Sequence, residues 1–159
     1  MNPRWWLIPL TLAVALMLAM MPLPDAAAPF RPDWVTLVAL YWAMALPRRF
    51  GLTFAWIAGI LLDVSQGALL GQNALGAVIV VAFALHYHQR LRVQPIAQQA
   101  LIVTVLLLIK QALVLWTSGL AGRAPEAPWL YFAAPPTALI FWPLLFVVLR
   151  DLRRRYQAT

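Results

Sequence analysis

The chain has 159 residues, 64% of them hydrophobic and only 11% charged, with a mean hydropathy of +0.79. A water-soluble domain of this size needs far more polar surface, so lipid must act as the second solvent of one membrane domain spanning residues 1–159. The absence of cysteine excludes disulfides and thiolate metal sites, and the net charge of +7 sits in short basic clusters between apolar runs, a pattern of membrane topology rather than of nucleic-acid binding.

A spanning helix needs about 20 mostly apolar residues. On that criterion the sequence predicts spans at 5–22, 32–47, 51–66, 69–88, 97–120 and 129–149. The first stops at Pro22 and Pro24. The second is short, and must tilt, extend toward Phe30 or be shielded by protein. Arg48, Arg49 and Gly51 part it from the third, and Ser65, Gln66 and Gly67 interrupt the apolar pattern before the fourth. The fifth is long and carries Lys110; the sixth has Pro135 and Pro136 near its start and Pro143 inside it. None of these runs alternates as a membrane strand would. The predicted fold is therefore an all-α bundle of six transmembrane helices.

Orientation follows from the arginines. Six spans place Arg4, Arg48, Arg49, Arg90, Arg92, Arg150, Arg153, Arg154 and Arg155 on one side, against Arg31 and Arg123 on the other. Nine against two sets both termini in the cytoplasm. The N-terminal run also resembles a signal peptide, with Ala26, Ala27 and Ala28 at the cut. Its length exceeds the usual stretch of about 7 to 15 apolar residues, which favours a retained span.

No nucleotide-binding, metalloprotease or serine-hydrolase motif occurs, and no cofactor or metal is implied. His86 and His88 are spaced i, i+2 and so lie on different helix faces, whereas a metal-binding helix wants i, i+4. Two ionisable residues fall within apolar spans, Asp63 and Lys110. A charge at the bilayer centre costs about 2.5 to 3.5 kcal/mol on insertion scales, so each needs a partner or a wet route. One reading is a polar centre that binds a partner or small ligand. The other is structural: an Asp63–Lys110 pair, or a snorkelling lysine and a helix-end aspartate. If Asp63 satisfies freed backbone N–H groups, an asparagine there, keeping one acceptor oxygen, is expected to be largely tolerated. Gly67 and Gly71 have small-xxx-small spacing, which suits either close helix crossing or a tight turn beside Gln66 and Gln72. Arg48, Arg49, Arg90, Arg92, Arg153, Arg154 and Arg155 read as anchors at the anionic cytoplasmic leaflet.

Several segments together carry a resemblance: Asp33-Trp34-Val35, Tyr41-Trp42, Leu46-Pro47-Arg48-Arg49 with Gly51, then 59–64, Gly67, 70–75, 88–92, Gln98-Gln99-Ala100 and Leu115-Trp116. In order and spacing they resemble the MreD family of bacterial rod shape-determining proteins. The resemblance implies a non-enzymatic inner-membrane member of the elongasome, which couples the actin-like MreB to wall synthesis. It also implies association with the bitopic protein MreC, support of the glycosyltransferase RodA and the elongation transpeptidase, and a fold similar to the substrate-capture subunits of energy-coupling-factor transporters. An aromatic or apolar residue is expected at the Lys110 position of the family. The alternative is a vitamin-binding transporter subunit, for which Trp34, Tyr41, Trp42, Trp116, Trp129 and Tyr131 would line an outer cavity.

Overall fold

The computed structural model describes residues 6–22, 24, 30–45, 51–67, 69–122 and 128–157. Among these every regular element is helical: α1 (Leu7–Met20), α2 (Trp34–Ala45), α3 (Leu52–Gln66), α4 (Gln72–His86), α5 (His88–Val93), α6 (Ile96–Leu120) and α7 (Ala138–Gln157), with 3-10 turns at Pro128–Ala133 and Pro135–Thr137.

The helix ends follow local chemistry. Pro22, two residues past α1, has no N–H to continue the ladder. Gly67 closes α3 in the left-handed conformation (φ 65°), its N–H bonded to the Asp63 and Val64 carbonyls. Gly71 (φ 93°) opens α4. A side chain at either position would strain a backbone that only glycine adopts readily. The expected run at 129–149 begins as 3-10 structure, because Pro128, Pro135 and Pro136 cannot donate into an α-helix. The α-helix starts at Ala138 and continues through the arginines to Gln157. Past the expected fourth run lies a short helix, α5, which the apolar pattern did not predict because its residues are polar and basic.

Helix α2 is the axis of the packing, with α1, α3, α4 and α7 against it. Its residues 35–44 are all buried. A helix apolar on every side has no face for water and no preferred face for lipid, so its neighbours surround it. That resolves the shortness of the second run: twelve residues rise only ~18 Å. Trp42 sends its indole N–H 2.9 Å to the Thr11 hydroxyl of α1. Trp34 stacks edge-on against Phe141 of α7 at 5.0 Å, and Tyr41 against Phe146 at 5.5 Å.

The other long helices each leave an apolar stripe outside, for example Leu75, Ile79 and Phe83 on α4, and Leu101, Val105 and Ile109 on α6. Two helices, Ile96–Leu120 and Pro135–Arg155, are long and apolar enough to cross a membrane by themselves; Leu7–Met20, Trp34–Ala45, Leu52–Gln66 and Gln72–His86 are shorter apolar helices.

Candidate functional site: two interhelical polar centres

The first centre is at the tip of the α3–α4 hairpin. Asp63, fully buried, lies on the last turn of α3 and faces the first turn of α4. One carboxylate oxygen accepts the Asn73 backbone N–H and side-chain amide, each at 2.9 Å. The other accepts the Gly71 N–H at 2.9 Å and the Ala74 N–H at 3.4 Å. The first N–H groups of any helix lack partners inside it and carry the positive end of its dipole. Asp63 therefore caps α4 from the preceding helix. Asn73 and Ala74 are themselves buried, so their N–H groups have no water to fall back on.

The hairpin closes so tightly because of Gly59, four residues before Asp63 on the same face of α3. A Cβ there would lie 2.6 Å from Ala74 N and closer still to Ala74 Cα. Close helix contact thus falls at Gly59, while Gly67 and Gly71 serve the turn. On its far side the hairpin is held to α6 by Gln72, whose amide nitrogen donates to the Val114 carbonyl at 2.7 Å and the Ser118 hydroxyl at 2.7 Å, with Thr117 Oγ1 at 2.9 Å. Gln66, by contrast, is exposed.

The second centre joins α2 to α6. Lys110 is 2% exposed, and its ammonium forms a salt bridge with Asp33, not Asp63. Asp33 also accepts the Thr36 N–H at 3.3 Å and the Thr36 hydroxyl at 2.8 Å, as an N-cap of α2. The lysine stem fits because position 76 is glycine: a Cβ there would come within 2.5 Å of Lys110 Cγ. Two residues before Asp33, Arg31 donates to the Ala19 and Met21 carbonyls and so closes the end of α1. One short segment thus serves the adjoining ends of two helices with opposite charges.

The structure therefore separates Asp63 and Lys110 into two centres. Sequence spacing did not pair Lys110 with Asp33, 77 residues away; the only local signal was Asp33 followed three residues later by Thr36, a capping pattern. Of the basic residues, Arg48 and Arg49 lie outside the described residues, Arg90 on α5 packs over the Tyr87 ring, and Arg92 belongs to α5. Arg153 is half-buried, and Arg154 and Arg155 are exposed at the end of α7. Among the aromatics assigned to an outer cavity, Tyr41 and Trp42 are buried in the helix packing, whereas Trp116 and Trp129 point outward, 62% and 71% exposed.

The geometry revises the expected tolerance of asparagine at 63. Both carboxylate oxygens are occupied, so Asp63→Asn turns an NH2 group toward N–H donors. We expect it to lower stability in detergent by about 2 kcal/mol, and Asp63→Leu by more, at about 1 to 3 kcal/mol for each stranded donor. Thermal unfolding of the two variants measures this. Equal stability of Asp63→Leu and the parent chain would exclude a capping role.

These bonds, with apolar stripes outside, define a class: an all-helical membrane protein whose buried polar groups knit its own helices together. The family model described as rod shape-determining protein MreD matches residues 2–152, and the chain belongs to the MreD family. It is similar to the "Rod shape-determining protein MreD" of Haemophilus influenzae, with 24% identity over 152 residues that cover 96% of this chain and 93% of that protein. No solved structure matches the chain significantly.

Proposed function

We propose that the chain is a non-catalytic scaffold of the bacterial elongasome, crossing the inner membrane six times and binding MreC through that partner's membrane helix. The observation that carries this reading is how five polar side chains between the helices are used. Asp33, Asp63, Gln72, Asn73 and Lys110 are bonded to one another or to backbone, and the outward helix faces are apolar. Such faces offer a partner close packing in lipid rather than polar chemistry. Through MreC the protein joins MreB, RodA and the elongation transpeptidase and supports lateral peptidoglycan synthesis, the rod-shape role its family's name describes. Co-purification tests this. MreC reduced to its cytoplasmic segment and membrane helix should stay bound in mild detergent; loss of binding on removing only the external domain would exclude the helix-packing reading.

In this reading the α3–α4 turn is external, and α5 and the end of α7 are cytoplasmic, where Arg90, Arg92 and Arg153–Arg155 meet anionic headgroups. The chain has no cysteine, so single labels are unambiguous. In intact spheroplasts an impermeant maleimide should modify Gln66→Cys and leave Gln89→Cys unmodified, both positions being exposed. The reverse pattern would invert the topology.

A further inference from the structure

We infer that this protein sits in a bilayer it locally thins, its partner surface being an annulus of compressed or short-chain phospholipid. The inference rests on the spanning reading above and concerns the height of the apolar faces. Along α4 the exposed apolar side chains run over positions 75–87, ~18 Å at 1.5 Å per residue. Along α3 they run over positions 52–64, also ~18 Å, and along α1, from Trp6 at its N-cap, over positions 6–21, ~22 Å. On α7 they occupy positions 139–148, ~14 Å, before Arg150 and Asp151. Before α7 the 3-10 turns add exposed Trp129 and Phe132, and α6, over positions 101–120, presents the longest described helical face, ~28 Å. A typical hydrocarbon core is about 30 Å thick.

The short faces are bounded by polar groups. At the outer end of the hairpin are exposed Gln66 and the turn that closes on Asp63. At the inner end are exposed Gln89 and Arg90. Tilting the hairpin would shorten its height across the membrane further, so tilt deepens the mismatch. The register with α6 is fixed by Gln72 at Val114 and Ser118, so the hairpin cannot slide outward along the longer helix. Lipid is the softer body, and a short apolar face draws the bilayer in around it.

The consequence is geometric. The turn at Leu70 and the start of α5 are separated by α4, whose fifteen residues rise ~22 Å. Both can be at headgroup depth only if the bilayer beside them is thinner than its resting value. Nitroxides placed at Leu70→Cys, Gln89→Cys and Ile79→Cys in the full chain, reconstituted in dioleoyl phosphatidylcholine, report their depths by power saturation. The expected result is that the first two lie at the headgroups and Ile79 lies in hydrocarbon. Thermal midpoints should fall from dimyristoyl to dierucoyl lipid. A Leu70 or Gln89 label in hydrocarbon, with Ile79 also immersed, overturns thinning and leaves the spanning reading intact. An Ile79 label outside hydrocarbon overturns the spanning reading, and thinning with it.

Discussion

Replacing Lys110 with methionine should lower the stability of this protein by about 3 to 5 kcal/mol. The ammonium is 2% exposed and paired with Asp33, and breaking a buried pair strands the charge that remains. Methionine matches the length and flexibility of the lysine stem, so the space beside Gly76 stays filled and the loss reports the charge. Asp33→Asn alone should be nearly as harmful, because it leaves the ammonium without its carboxylate. Combining the two should recover much of the loss: the asparagine introduced at position 33 still accepts from Thr36, and methionine demands nothing of it. The double-mutant cycle, read by thermal unfolding in detergent, isolates the pair. If Lys110→Met unfolds within about 1 kcal/mol of the parent, the salt bridge does not hold α2 to α6.

The second large effect is expected at Gly59. A methyl group there meets the backbone of Ala74, at 2.6 Å from its nitrogen and closer to its Cα, and backbone cannot rotate away as a side chain would. Helices α3 and α4 must separate, and Asp63, one turn further along the same face, is then drawn off the N–H groups it caps. Overpacking of about 1 to 3 kcal/mol therefore adds to the weakened cap, and Gly59→Val should be worse than Gly59→Ala. Gly119→Ala is the matched control, since a Cβ at that position meets nothing within 4 Å. It should be neutral or gain up to about 1 kcal/mol from helix propensity. The measurement is again thermal unfolding; equal behaviour at positions 59 and 119 would rule out a tight hairpin.

The sequence revealed composition-level features well and cross-chain chemistry poorly, for a physical reason. An apolar run records its own helix, because every backbone group in lipid must be satisfied within the segment. The helical class was legible on that ground. The hairpin turn at Gly67 and Gly71 was legible too, beside polar residues in an apolar context. What stayed hidden depends on contacts between helices. Asp63 was visible as a buried charge, but its partners lie eight to eleven residues ahead, on the next helix. Gly59 entered only as part of the segment 59–64 that carries the family resemblance and gave no signal of close packing, since a glycine in an apolar helix is ordinary until a neighbour's backbone is placed against it. Lys110 was weighed against Asp63, the other charge well inside an apolar run, because Asp33 stands at the very start of its run and 77 residues away. Nothing in the periodicity indicated that the start of α2 lies beside the middle of α6.

That 77-residue separation sets an order of events during synthesis. Asp33 leaves the ribosome first. At about 5 to 20 residues per second, Lys110 follows roughly 4 to 15 s later. Throughout that interval α2 is a ~18 Å apolar segment with an unneutralised carboxylate at its head and no completed ring of neighbours. Its carboxylate waits for Lys110 of α6 and its ring of neighbours for α7, so the packing around α2 can close only after more than two-thirds of the polypeptide has been made.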